Sequence, residues 1–291
     1  MFVIKKTPSY VIFGHGGTIS NPIYAALPAK SKTSGYKVFA FDHQRIDITD
    51  ESHVYPILNY IKPKIVINCA SYGCPESCES NKVKSFSVNS VGASICAEGC
   101  KRIGAQLIYI SSSYVFDGIS KKPYSEHSKA KPVNIIGKSK LDAENKVMSA
   151  SNKNLVIRTG WVFGNNGINF LTSMLSKASS GDVIDVISDC YGSPCYSVDL
   201  AEALVQLIDQ DKSGIYNVCN TEKCSWADFA YAVAKYSKFD FKIKSWKFEE
   251  QKFIDFPMPK FTALSTHKYT KDTGKKMRSW KVALMECLKE I

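Results

Sequence analysis

Short apolar runs recur through residues 1–160, and each is closed by small or polar residues. Tyr10-Val11-Ile12-Phe13 stops at Gly14, and Lys37-Val38-Phe39-Ala40-Phe41 stops at Asp42. Ile65-Val66-Ile67 ends in Asn68, Gln106-Leu107-Ile108-Tyr109-Ile110 runs into Ser111-Ser112-Ser113, and Leu155-Val156-Ile157-Arg158 precedes Thr159-Gly160. Runs this short, without polar alternation, predict strands buried on both faces, as in a parallel sheet covered by helices. Stretches of helical pattern separate them: 19–33, interrupted by Pro22 and Pro28; 50–61, capped near Thr49 or Asp50; a long one at 82–102; and 137–150. Strict β-α alternation predicts an α/β fold with a doubly wound parallel sheet. Ligands of such sheets bind beyond the strand C-termini. Small and polar residues gather at those ends here: Gly14, Asp42, Cys69-Ala70-Ser71, Ser111–Ser113 and Thr159-Gly160.

The alternation loosens after residue 160. A helix at 168–180, a strand at 183–187, a helix at 198–210, the strand Ile215–Val218 and a helix at 225–237 lead into a Pro- and Lys-rich tail. The expected organisation is a dinucleotide-binding domain over 1–160 and a smaller substrate-binding region over 161–291. The two interleave, because one strand and helix of the second part return to the large sheet.

Composition narrows the function classes. The chain has 291 residues, 44% hydrophobic and 22% charged, a balance that argues against disorder. There is no apolar run long enough for a membrane span, and the start lacks a secretion-signal pattern, so a cytoplasmic protein is expected. The net charge of +11 raises nucleic acid as a partner. Its basic residues are nearly all lysines, scattered along the chain, with arginine only at 45, 102, 158 and 278. Nucleic-acid binding needs a clustered stripe, so no nucleic-acid partner is expected. A diffuse positive field suits a polyphosphorylated nucleotide. The ten cysteines form no C-x2-C pair and have no histidines interleaved at zinc spacing. Cys74/Cys78 and Cys96/Cys100 are spaced for one helix face. The expectation is reduced thiols packed as small hydrophobes, with no metal.

Candidate chemistry begins at Gly14-x2-Gly17-x2-Ser20, between a strand and a helix. Glycines there let backbone N–H groups approach a pyrophosphate at a helix N-terminus. Asp42, closing the second strand, is placed to accept from an adenosine ribose, while Arg45 nearby suits a 2′-phosphate, so NAD and NADP both remain open.

Further segments appear in order: Asp47-Ile48, Asn68-Cys69-Ala70-Ser71-Tyr72, Val88-Asn89, Tyr109 through Gly118, Gly137-Lys138-Ser139-Lys140-Leu141-Asp142-Ala143-Glu144, and Arg158-Thr159-Gly160-Trp161-Val162-Phe163-Gly164. Gly192-Ser193-Pro194, Val198-Asp199-Leu200-Ala201 and Pro259–Leu264 continue the series. Together they resemble the extended short-chain dehydrogenase/reductases, and within them the dTDP-4-dehydrorhamnose reductase family, which also includes the regulatory β subunit of methionine adenosyltransferase. The resemblance implies hydride transfer from NAD(P)H to C4 of a nucleotide-linked 4-keto-6-deoxy sugar. It implies that Gly14, Gly17 and Ser20 hold the cofactor pyrophosphate and that Asp42, Asp47 and Ile48 surround the adenosine. By the same resemblance, Cys69, Ala70 and Ser71 line the path to the nicotinamide ribose, which Lys140 binds. Ser112 hydrogen-bonds the reacting carbonyl, and Tyr72, Ser113 and Trp161 border the sugar. A homodimer is common among such proteins, though the sequence carries no interface signature.

The chain departs from that family's pattern at the reacting centre. The family has Tyr-x3-Lys, whose tyrosine gives the proton; here the pentapeptide is Ile136-Gly137-Lys138-Ser139-Lys140. Ser113 replaces an acidic residue, and the glycine loop lacks its third glycine. General acid catalysis is worth roughly 10²- to 10⁴-fold, so its loss slows reduction without forbidding it. The candidate replacement donors are Tyr114, Ser112 through a water, or a residue from the second region. Two other functions fit the same chain: a catalytically silent nucleotide-sugar-binding regulator, favoured by Ile136, and a sugar-nucleotide epimerase.

Overall fold

The computed structural model describes residues 9–30 and 35–291, apart from the side chain of Lys30. Its first half alternates as the pattern predicts: β1 (Ser9–Phe13), α1 (Ser20–Lys30), β2 (Lys37–Phe41), α2 (Glu51–Ile61) and β3 (Ile65–Asn68). Next come α3 (Pro75–Ser80), α4 (Lys82–Phe86), a π-helical turn (Ser87–Gly92), α5 (Ala93–Ile103), β4 (Gln106–Ser112), α6 (Ile135–Ala150) and β5 (Leu155–Thr159). The Asp50 carboxylate caps α2 by accepting from Ser52 N–H. The helix expected over 19–33 is found as Ser20–Lys30, with Pro22 in its first turn; residues 31–34 lie outside the described residues.

The second half contains β6 (Val162–Phe163), α7 (Phe170–Ser179), β7 (Val183–Ile187), β8 (Tyr191–Gly192), β9 (Cys195–Tyr196), α8 (Ser197–Asp209) and β10 (Gly214–Asn217). It continues with β11 (Cys224–Ser225), α9 (Trp226–Tyr236), β12 (Lys242–Trp246), α10 (His267–Thr273) and α11 (Trp280–Lys289). The tail therefore holds a strand and two helices, which its lysines and prolines concealed.

The main sheet has six strands in the order β10-β5-β4-β3-β1-β2. Every pairing in it is parallel. β10 lies beside β5, with Ile215 opposite Val156, so a strand of the second half closes the sheet edge. α8 packs on α1, and its Leu200, Leu204 and Leu207 are fully buried at helical spacing. Truncating a leucine in such a seam costs roughly 2–5 kcal/mol. One apolar layer, with Tyr10, Ile12, Ile67 and Ile108, faces α1 and α8; the other, with Val11, Val66, Leu107 and Tyr109, faces α2, α5 and α6. A third cluster around Phe163, Leu171, Phe229 and Trp280 forms the core of the smaller region.

The stretch expected as one helix over 82–102 runs without a gap from Lys82 to Ile103, as α4, the π-helical turn and α5. Asn81 caps its start by accepting from Lys84 N–H, and the π turn joins α4 to α5. Such turns insert an extra residue into a helix and often mark functional sites.

Candidate active site

The turn after β1 lies directly against the end of β3. Gly14 has φ +76°, and a Cβ there would sit 2.5 Å from the Ala70 Cα, so only glycine fits. Gly16 has φ +97° and faces open space. The Gly17 N–H donates to Ser20 Oγ at 3.1 Å, so the residue in the third-glycine position ties the loop to its own helix. Thr18 donates to the carbonyl of Asn166 at 2.6 Å, which brings the 164–167 loop against this turn. Asp42 Oδ1 accepts from the N–H groups of Gln44 and Arg45 at 3.1 and 3.0 Å. Asp42 thus serves as a turn residue and stands beside the glycine loop, since His15 N–H donates to Phe41 O. Asp47 accepts from both the N–H and the hydroxyl of Thr49, which holds its carboxyl below the usual range. Ile48 is 4% exposed, and a Cβ on Gly92 would touch its side chain, so it belongs to the core.

Asn89, within the π turn, joins three elements. Its Oδ1 accepts from Ser71 Oγ (3.2 Å) and Tyr72 N–H (2.7 Å), on the loop after β3. Its Nδ2 donates to Ser139 Oγ (3.1 Å) on α6 and to Ser85 Oγ (3.3 Å) on α4. Its carbonyl accepts from the Tyr109 hydroxyl at 2.9 Å. The loop Cys69-Ala70-Ser71-Tyr72 is thereby fixed to the helix carrying Lys140. Burial pushes the Cys69 thiol up to about 12, opposed by the Lys140 charge. Asn68 is fully buried; its Oδ1 accepts from Ala70 N–H, while its Nδ2 has no partner among the described residues.

Lys140 is 5% exposed. Its Nζ donates to the carbonyl of Ile110 at 3.0 Å and stands 4.9 Å from the centre of the Tyr109 ring. Burial lowers its pKa to about 8, partly offset by Cys69, Cys78 and Glu144. It is no solvated surface lysine. Ser112 ends β4 and accepts from Tyr114 N–H at 3.2 Å. Ser113 is buried against Gly160, where a Cβ would come within 2.6 Å of its Oγ. Burial pushes the Tyr114 phenol well above its ordinary range, with Cys190 and Cys74 adding to the effect. Ile136 is 8% exposed and clusters with Cys78 and Ile135, beside Tyr72, Phe86 and Tyr114. Position 136 is therefore apolar and flanked by two phenols, those of Tyr72 and Tyr114.

Glu144, one turn beyond Lys140, meets the Arg158 guanidinium at 2.6 Å, and both are nearly fully buried. Ser111 also donates to Glu144, so β4, β5 and α6 are tied together below the site. Trp161 adopts φ +45°, a strained conformation for a bulky residue that costs on the order of 1–3 kcal/mol. Its ring stacks on Trp226 with centroids 3.7 Å apart. Asn89, Glu144 and Trp226 are the residues whose roles sequence reasoning did not find. The first two lie inside quoted motifs, whereas the stacking of Trp226 has no local sequence signal.

Among the described residues no group of three or more His, Cys, Asp or Glu side chains is placed to hold a metal ion, and all ten cysteines are free thiols. Nor is any described helix long and apolar enough to cross a membrane.

A parallel sheet ordered about β1, a glycine turn pressed on β3 and a buried lysine behind β4 define the class: Rossmann-fold proteins of the NAD(P)-binding reductase and epimerase type. Within that class the chain belongs to the family described as RmlD substrate binding domain, which matches residues 9–291. It is 35% identical to the spore coat polysaccharide biosynthesis protein SpsK of Bacillus subtilis over 96% of both chains. It is 32% identical to the dTDP-4-dehydrorhamnose reductase of Mycolicibacterium smegmatis, over 96% of this chain and 84% of that protein. The solved dTDP-4-dehydrorhamnose reductase of Bacillus anthracis, in complex with NADP, superposes with a TM-score of 0.92 at 29% identity, covering 98% of this chain and 99% of that one. The UDP-glucose 4-epimerase of Thermus thermophilus, in complex with NAD, shares the fold at 18% identity and a TM-score of 0.84.

Proposed function

We propose that this protein is an NAD(P)-dependent reductase of a dTDP-linked 4-keto-6-deoxy sugar, working with an altered proton-donor site. The observation that carries the reading is Lys140, an ammonium buried at the end of β4 next to the strand residue that leads to Ser112. The likeness to named dTDP-4-dehydrorhamnose reductases over nearly the whole chain supports the substrate class. The residues fit a dinucleotide: the Gly14 turn leaves no room for a side chain, Gly16 opens on free space, and Asn68 Nδ2 is buried without a partner among the described residues.

When bound, the nicotinamide supplies the hydride. Gly14, Gly16 and Gly17 let the backbone close on the pyrophosphate at the start of α1, with Ser20 bracing the loop. Asp42, Asp47 and the backbone of Ile48 form the adenosine side; Cys69, Ala70 and Ser71 line the way to the ribose, which Lys140 binds. Ser112 donates a hydrogen bond to the ketone oxygen, where negative charge develops. Tyr114 stands close by, and its raised pKa makes it a hydrogen-bond donor and a weak acid. Tyr72, Ser113 and Trp161 enclose the sugar. In this reading residues 1–160 hold the cofactor and 161–291 the substrate. The reading places the protein in the cytoplasm, which suits ten free thiols, and as a homodimer.

Ile136 favours a second reading, a silent sugar-nucleotide-binding regulator, because it leaves an apolar contact where the proton should come from. Calorimetry with NADH and NADPH, followed by cofactor consumption with dTDP-4-dehydrorhamnose, decides between them. The reductase reading expects binding and slow turnover. Binding without turnover supports the regulator, and no binding of either cofactor at millimolar concentration defeats the reductase reading.

A further inference from the structure

Trp161 is held in place by residues distant from it in sequence. Its carbonyl accepts from Cys195 N–H at 3.2 Å. A Cβ on Gly192 would come within 2.2 Å of Trp161 Cε2, so the indole occupies the space that any side chain at 192 would need. The Trp226 ring stacks on it with an interplanar angle of 18°. Trp226 is itself braced by Phe170, edge-on at 4.5 Å. Gly192 and Trp226 are brought together by one small sheet, since β8 pairs with β11 and Trp226 follows Ser225 directly. Both indoles remain partly exposed.

The geometry points to Trp226 as the positioning residue for sugar recognition, holding the Trp161 indole as a fixed wall for the sugar of the nucleotide. This rests on the functional reading above, which puts Trp161 at the sugar. A flat ring receives the C–H face of a pyranose only if its orientation is set beforehand, because ordering a free ring on binding costs affinity. Stacking on Trp226 supplies that order, and Gly192 leaves the ring room to take it. Trp226 does not touch the substrate and acts through Trp161.

Calorimetry with dTDP-rhamnose, dTDP and NADPH on the full chain tests this, with near-ultraviolet circular dichroism reporting the stacked indoles. The wild type is expected to bind dTDP-rhamnose more tightly than dTDP. Trp226→Leu should weaken dTDP-rhamnose about ten-fold, in the range of an aromatic stack, with dTDP and NADPH affinities unchanged and the indole signal altered. Trp226→Phe should restore most of the loss. Gly192→Ala, which displaces Trp161 while leaving Trp226 in place, should reproduce it. Undiminished sugar preference in Trp226→Leu overturns the inference and leaves the functional reading standing. If Trp226→Leu loses all three ligands, Gly192→Ala decides, and undiminished preference there overturns it equally. A wild type that binds neither dTDP nor dTDP-rhamnose overturns the functional reading and this inference with it.

Discussion

Position 136 lies one helical turn before Lys140, on the same side of α6. A tyrosine there would bring its phenol towards the Lys140 ammonium, which stabilises phenolate and draws the pKa towards neutrality. Ile136→Tyr is expected to raise reduction of the 4-keto sugar by roughly 10²-fold or more, the range of a restored general acid. Lys140→Ala in that background should remove the gain. The buried ammonium has a pKa of about 8, so it is charged at neutral pH and loses its charge as pH rises through that value. The gain should therefore be full near pH 7 and fade above about 8. Steady-state NADPH consumption across pH for wild type, single and double variants measures it. Equal turnover by wild type and Ile136→Tyr would show that another group gives the proton. That an isoleucine stands four residues before Lys140 was legible in the sequence. What the spare hydroxyls and carboxylates do was not: Ser20 Oγ is committed to Gly17 N–H and Asp42 Oδ1 to two amides, facts of atomic direction that residue type does not encode.

Among the elements, α6 bears the most consequence, because it carries Lys140 and is tied to the sheet through Glu144 and Arg158. A buried pair contributes little net stability compared with apolar replacements, but breaking one side leaves a charge stranded. Arg158→Met should destabilise the protein by about 3–5 kcal/mol, and Glu144→Leu combined with it should recover much of the loss. Urea denaturation of the wild type, both single variants and the double variant gives the coupling directly; additive losses would mean that the pair is not coupled. The elements themselves were readable to different degrees. β2 and β3 follow their apolar runs to the residue. β3 is buried at every position, which leaves a continuous signal, whereas β2 is the sheet's edge strand and its apolar run is partly exposed, not buried on both faces as its pattern predicts. The paired strands of two residues, β8 with β11 and β6 with β9, are too short to carry a period. The π turn inside the 82–103 helix carries Asn89, whose contacts with Ser71, Tyr72 and Ser139 lie far away in sequence, where no local window reaches.

For the molecule as a whole, the two halves share a sheet. β10 pairs with β5, and α8 covers the face of α1 that bears Ile23 and Leu27. A fragment ending at residue 160 would leave that face uncovered and a sheet edge unpaired. It is expected to bind a hydrophobic dye and to lack a cooperative urea transition, whereas the full chain unfolds cooperatively. A cooperative transition in the fragment would show that the sheet closes without β10. The sequence anticipated this return of a strand and a helix from their patterning, since Ile215–Val218 has the same buried-strand character as the first five runs.

The placement of β10 also sets a clock on synthesis. Translation runs at about 5–20 residues per second, so several seconds separate the emergence of Thr159 from that of Gly214. Throughout that interval the nascent chain carries a formed or forming sheet whose open flank recruits any strand within reach. Neighbouring chains on one polysome are the nearest source of such strands. Yield in a foreign host is then set by how long the ribosome dwells between residues 160 and 213: slow codons there prolong the exposure, and fast ones, or a chaperone at the exit tunnel, shorten or shield it.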